Sequence, residues 1–210
     1  VHGRALALAA GLRVARPDLT VLVAGGDGDG LSIGGNHFIH ACRRNMNLTY
    51  ILMDNEVYGM TKGQASPTTA PDWMESKLTP QGTGIRPFQP AGLALTAGAS
   101  FIARGFTGDP NGLARILVEA VQHPGFSFVQ ALSPCPTVRP EQMQWKRHVR
   151  CFDEEATDDP IEAAGRIQAD DGMSTGIIFR REYPVFQPGQ PGGAVRAQTC
   201  MEQIEQELRV

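Results

Sequence analysis

Two short segments carry the residue types whose spacing does specific chemistry. The first is Gly25-Gly26-Asp27-Gly28-Asp29-Gly30, and the second is Asp54-Asn55-Glu56-Val57-Tyr58-Gly59. Glycines let a backbone approach a ligand closely, and a helix starting just after them points free N–H groups at an anion. That is phosphate-binding geometry. Two carboxylates in such a loop repel a phosphate unless a divalent cation stands between them. Mg²⁺ takes carboxylate oxygens together with substrate phosphates. Taken alone, the first loop also reads as a tight strand-to-helix turn. It matches neither GxGxxG nor GxxxxGK[ST].

These segments need elements to hold them. Leu19 to Ala24 and Leu48 to Met53 are short apolar runs, and they predict two buried strands, each ending at one of the two loops. Residues 4–15 and 31–44 predict helices. Further strands are expected at 100–104, 126–132 and 175–179. Further helices are expected at 90–98, from Pro110 to about His123 with Asp109 as N-cap, at 140–149 and at 161–169. The alternation predicts an α/β fold with a mostly parallel sheet and helices on both faces. In such a sheet ligands bind at the carboxyl ends of the strands, so Asp27 and Asn55 can converge on one cation. Residues 59–88 predict a long functional loop. A flexible linker at 187–195 and a short helix at 199–208 complete the reading.

The two loops, 28 residues apart from Asp27 to Asn55, resemble the thiamine diphosphate–Mg²⁺ motif. The stretch from Gly25 to Thr68, with HGRALALAAGLRVARPDL (2–19) and ALSPCPT (131–137), closely resembles the β subunit of 2-oxoacid:ferredoxin oxidoreductases. The resemblance covers residues 1–140 well and is loose beyond. It implies that Asp27, the Asn55 side-chain oxygen and the Val57 carbonyl hold Mg²⁺. Gly26, Gly28 and Asp29 then contact the diphosphate, while Tyr58, Gly59, Met60 and Thr61 wrap the cofactor. It implies oxidative decarboxylation of a 2-oxoacid, with thiamine diphosphate as electron sink, a [4Fe–4S] cluster passing electrons to ferredoxin, and coenzyme A taking the acyl group. Cys135 would be one cluster ligand, with the others outside this segment; otherwise it is a buried structural cysteine. Lys62 reads either as a solvated loop lysine or as a point charge for a substrate carboxylate, which favours 2-oxoglutarate over pyruvate. Gln64 and Ser66 are candidate pocket polars. His37 and His40 share a helix face, as packing residues, partner contacts or a metal pair.

Composition narrows the classes. A net charge of −3 gives no footprint for nucleic acid, and no stretch is apolar and long enough for a membrane span. The cysteines at 42, 135, 151 and 200 form no CxxC pair, which argues against a disulfide framework. A cytoplasmic protein is expected. The chain begins at Val1 in helical sequence, so an N-terminally incomplete chain is expected. Residues 1–137 are read as the thiamine diphosphate-binding domain and 138–210 as an extension that contacts a partner. An α subunit is required, because the cofactor's aminopyrimidine needs a carboxylate from a second domain that 210 residues do not supply. A heterotetramer follows. Two alternatives stay open: another thiamine-dependent 2-oxoacid decarboxylase or synthase, and a degenerate partner subunit without catalysis.

Overall fold

The computed structural model describes residues 2–76 and 78–187. The linker expected at 187–195 (save its first residue) and the helix at 199–208 lie outside the described residues. Six strands form one sheet in the order β1-β2-β4-β3-β6-β5. They are β1 (Leu22–Gly26), β2 (Leu48–Asp54), β3 (Phe101–Phe106), β4 (Phe126–Leu132), β5 (Arg150–Cys151) and β6 (Ser174–Arg180). The first four are mutually parallel, and β6 joins β3 antiparallel. The fold expected from the alternation is the fold observed.

The helices are α1 (Ala5–Ala15), α2 (Gly35–Arg44), α3 (Pro90–Thr96), α4 (Pro110–Gln122), α5 (Trp145–His148) and α6 (Pro160–Ala169). From β1 through β2 to β3 the chain advances across the sheet, and from β3 to β4 it steps back. With right-handed crossovers, α2 and α3 must lie on one face and α4 on the other. The cores agree. Leu6, Phe38, Tyr50, Ala94, Phe128 and Ile167 share one buried cluster, and Leu113, Ile116 and Leu117 of α4 pack on Phe101, Ala103 and Val129 in another. Phe38 is the hub of the larger core, with ring centroids 5.1 Å from Phe128 and 5.8 Å from Tyr50. The Asp109 carboxylate accepts from Gly112 N at 3.0 Å, and Pro110 stands at the first helical position of α4, as the sequence predicts.

Three local expectations are corrected. The first strand begins at Leu22 rather than Leu19 and runs through Gly26, where Gly26 pairs with Met53. No free loop then separates it from a helix at 31. The chain turns helical at Asp27, passes through a π turn over Asp29–Ile33 and continues as α2. Close packing requires this early coiling. A Cβ on Gly28 would lie 2.2 Å from Tyr58 Cε1, and one on Gly30 would lie 1.9 Å from Tyr50 Oη. Third, 140–149 is a 3₁₀ segment, Pro140–Gln144, followed by the single turn of α5, because Gln142 is drawn inward as described below.

Candidate thiamine diphosphate–metal site

The register carries Asp27, Asp54 and Ser133 to the same carboxyl edge. Gly26 lies opposite Met53, Asp54 lies opposite Leu132, and Ser133 N donates to Asp54 O at 2.8 Å. Asp27 is buried, with 2% of its surface exposed. Its Oδ2 accepts from Ser66 Oγ at 2.5 Å and from Thr68 Oγ1 at 2.8 Å. Both hydroxyls fall on Oδ2, so Oδ1 lies outside both bonds. The Thr68 hydroxyl also lies 2.8 Å from Asp54 Oδ1. One hydroxyl carries one proton, so it cannot donate to both carboxylates at once. Burial is the largest cause raising the Asp27 carboxyl above its usual range, and its bonds to Ser66 and Thr68 oppose it. Burial, then the neighbouring Asp27 charge, pushes Asp54 up to about 6. A cation beside Asp27 reverses that penalty.

The second loop is sharply bent beside the first. Asn55 Oδ1 accepts from Val57 N at 3.2 Å, an Asx turn. Glu56 adopts φ +54°, uncommon for a side-chain-bearing residue. Thr69 Oγ1 donates to its carbonyl at 2.6 Å, and Arg139 bonds its carboxylate at 2.7 Å. Burial and the Asp54 charge push Glu56 up to about 7 despite Arg139. The donor set of Asp27 carboxylate, Asn55 amide oxygen and Val57 carbonyl consists of hard oxygens, which suits Mg²⁺. A Cβ added at Gly26 would meet nothing within 4 Å, so open space adjoins Asp27. The residues therefore fit a magnesium-held diphosphate.

The other expected residues gather around this edge. Tyr58 Oη donates to Gly28 O at 3.0 Å and joins the two loops. Gly59 to Thr61 form a 3₁₀ turn, in which Met60 and Thr61 are exposed. A Cβ on Gly59 would lie 3.4 Å from Cys135 Sγ, so the cysteine abuts this turn. Cys135 is half-buried. Gln64 Oε1 accepts from Thr61 Oγ1 at 2.5 Å. Lys62 is exposed at the end of this turn, with φ +80°. The Asp29 carboxylate turns away, to Gly3 N at 2.6 Å and His2 Nδ1 at 2.9 Å, so what Asp29 offers a phosphate is its backbone. His37 Nε2 lies 2.9 Å from Arg4. Among the described residues no cluster of three or more His, Cys, Asp or Glu assembles a metal site. Cys42 is a core residue, as expected.

Sequence reasoning missed the supports. Gln130 Nε2 donates to Asp54 Oδ2 at 2.8 Å, and Arg104 Nε donates to Gln130 Oε1 at 3.1 Å. Arg104 also pairs with Asp170, which in turn lies 3.3 Å from Arg150. Polar residues inside the apolar runs SFIAR and FSFVQAL were the available signal, since buried polar groups demand partners. Thr68, Thr69, Arg139 and Gln142 gave none beyond a hydroxyl-rich loop.

Residues 1–131 match the thiamine pyrophosphate enzyme family, C-terminal TPP binding domain. The 2-oxoglutarate synthase subunit KorB of Archaeoglobus fulgidus is 52% identical over 136 residues, 65% of this chain and 51% of that one. The 2-oxoacid:ferredoxin oxidoreductase subunit beta of Saccharolobus solfataricus is 40% identical over 185 residues, 87% of this chain and 60% of that one. The chain thus spans about half to three fifths of these relatives. The solved structure of the 2-oxoglutarate:ferredoxin oxidoreductase from Magnetococcus marinus, with 2-oxoglutarate, coenzyme A and succinyl-CoA bound, superposes with a TM-score of 0.83 at 38% identity, covering 99% of this chain and 68% of that one. The fold agrees with these likenesses: the chain belongs to the thiamine pyrophosphate enzyme family and, within it, to the β subunits of 2-oxoacid:ferredoxin oxidoreductases.

Proposed function

We propose that this chain is the thiamine diphosphate- and Mg²⁺-binding part of a cytoplasmic oxidoreductase that converts a 2-oxoacid and coenzyme A to acyl-CoA and CO₂ with ferredoxin as acceptor. The substrate favoured is 2-oxoglutarate, with pyruvate next. The observation that carries the reading is the buried Asp27 carboxylate, hydrogen-bonded through Thr68 to Asp54 beside the Asn55–Val57 turn. When bound, thiamine diphosphate supplies the electron sink for decarboxylation. Asp27, Asn55 Oδ1 and the Val57 carbonyl hold the cation. Gly26, Gly28 and the Asp29 backbone let the diphosphate come close, and Tyr58 to Thr61 cover it. Lys62 and Gln64, on the rim of the same loop, orient the substrate. Cys135 contributes one ligand to a [4Fe–4S] cluster whose other ligands lie outside this segment. Residues 1–137 form the cofactor domain, and 138–210 contact the α subunit in a heterotetramer.

The test is calorimetric titration of thiamine diphosphate into the chain assembled with its α subunit, with and without Mg²⁺. Mg²⁺-dependent binding that Asp27→Asn abolishes is expected. Absence of binding in the wild-type assembly would refute the reading.

A further inference from the structure

The turn that would hold the cation and the loop that carries Cys135 are bolted together by one buried side chain. Gln142 is 1% exposed. Its Nε2 donates to Asn55 O at 2.8 Å, and its Oε1 accepts from Cys135 N at 2.9 Å. A second brace runs alongside. Arg139 N donates to Cys135 O at 2.8 Å, while its guanidinium bonds the Glu56 carboxylate and lies 3.3 Å from the Glu56 carbonyl. Arg139 is itself held over the Trp73 ring at 4.6 Å. Asn55 and Glu56 are thus gripped from behind by the segment that begins at Cys135.

We infer that Gln142 is a positioning residue that couples occupancy of the cation–diphosphate site to the order of the Cys135 loop. This rests on the function proposed above. A cation bound to Asn55 Oδ1 and the Val57 carbonyl fixes the turn between them. Fixing that turn fixes Asn55 O, and with it the amide of Gln142. The same amide then holds Cys135 N. Coupling of this kind is reciprocal: whatever orders the Cys135 loop must also tighten the cofactor site by the same factor. Cys135 also lies against Gly59 of the cofactor loop, so the two sites are neighbours in space as well as in bonding.

Proline makes the coupling readable. Pro134 and Pro136 have no amide proton, so the Cys135 N–H is the one exchangeable amide between them. Hydrogen exchange of a peptide spanning 133–136, whose one internal amide is that of Cys135, is followed by mass spectrometry on the assembled protein, alone and with thiamine diphosphate plus Mg²⁺. Binding is titrated in parallel. In the wild type, the ligand slows exchange of that peptide by about fivefold or more. In Gln142→Met, a volume-matched change, the ligand binds about tenfold more weakly and the slowing disappears. Gln142→Glu keeps the acceptor for Cys135 N but loses the donor to Asn55 O, and it fails in the same way. Binding without slowing in the wild type, or equal slowing in both variants, overturns the inference and leaves the cofactor reading intact. No Mg²⁺-dependent binding in the wild type overturns both. The wild-type comparison stands even if a variant does not fold.

Discussion

Asp27 illustrates how a residue chosen for charge chemistry is held. Its carboxylate is buried, accepts two hydroxyl bonds on one oxygen, and shares the Thr68 hydroxyl with a second buried acid. Replacing Asp27 by Asn should weaken Mg²⁺-dependent thiamine diphosphate binding by more than about 100-fold, since substitutions one shell further out already cost 10–100-fold. The acids also set a pH dependence. Asp54 at about 6 and Glu56 at about 7 lie above their unfolded values. Between pH 4 and 7 the folded chain therefore binds more protons than the unfolded one, and stability falls as pH rises through that window. Urea unfolding of the metal-free chain should show it more stable at pH 5 than at pH 7.5 by on the order of 2 kcal/mol, with the slope reduced in Asp54→Asn. A flat or rising profile would contradict the burial argument. Asp27 and Asn55 were legible because their types, their spacing and the strand ends all agree. Thr68 and Gln142 were not, because their roles come from where a long loop and a 3₁₀ turn fold back, and no periodicity records that.

At the scale of elements, caps and close approaches dominate. Asp109→Ala removes the cap of α4 and should cost about 0.5–2 kcal/mol, visible in thermal unfolding, while leaving cofactor binding unchanged because this cap follows β3, which β4 separates from β1 and β2. Gly28→Ala should affect both. A Cβ there would collide with Tyr58, the residue that joins the two loops, so both cofactor affinity and stability should fall, the latter by about 1–3 kcal/mol. If Gly28→Ala binds like wild type, the Tyr58–Gly28 approach is not what shapes the site. The sequence predicts α4 well because Asp-Pro marks its start, and it predicts β2 and β4 well because each is a bounded apolar run. It misplaces β1 by two to three residues, since parallel pairing with β2 rather than local composition sets where β1 ends. The π turn after Asp27 was invisible, because it depends on two tyrosines, Tyr50 and Tyr58, arriving from later in the chain.

At the scale of the molecule, the site is linked to the far side of the sheet. Asp27, Thr68, Asp54, Gln130, Arg104, Asp170 and Arg150 form one run of polar contacts from β1 to β5. Arg104→Met would leave the buried Asp170 carboxylate only the exposed Arg150 as a cationic partner, and removing one side of a buried pair costs up to about 3–5 kcal/mol. Differential scanning calorimetry should register it, and a change under about 1 kcal/mol would mean that Arg150 alone balances Asp170. The parallel core of this sheet was readable from alternation, but the antiparallel entry of β6 was not, because a single apolar run carries no direction. That entry has a consequence for cutting and joining such chains. A protein shortened at residue 137 keeps every residue proposed to hold the cation yet strands Arg104, whose counter-charge at Asp170 arrives only with the last strands. A chimera that exchanges the tail must therefore carry Arg104, Gln130 and Asp170 as one heritable set, or leave an unbalanced cation one side chain away from Asp54.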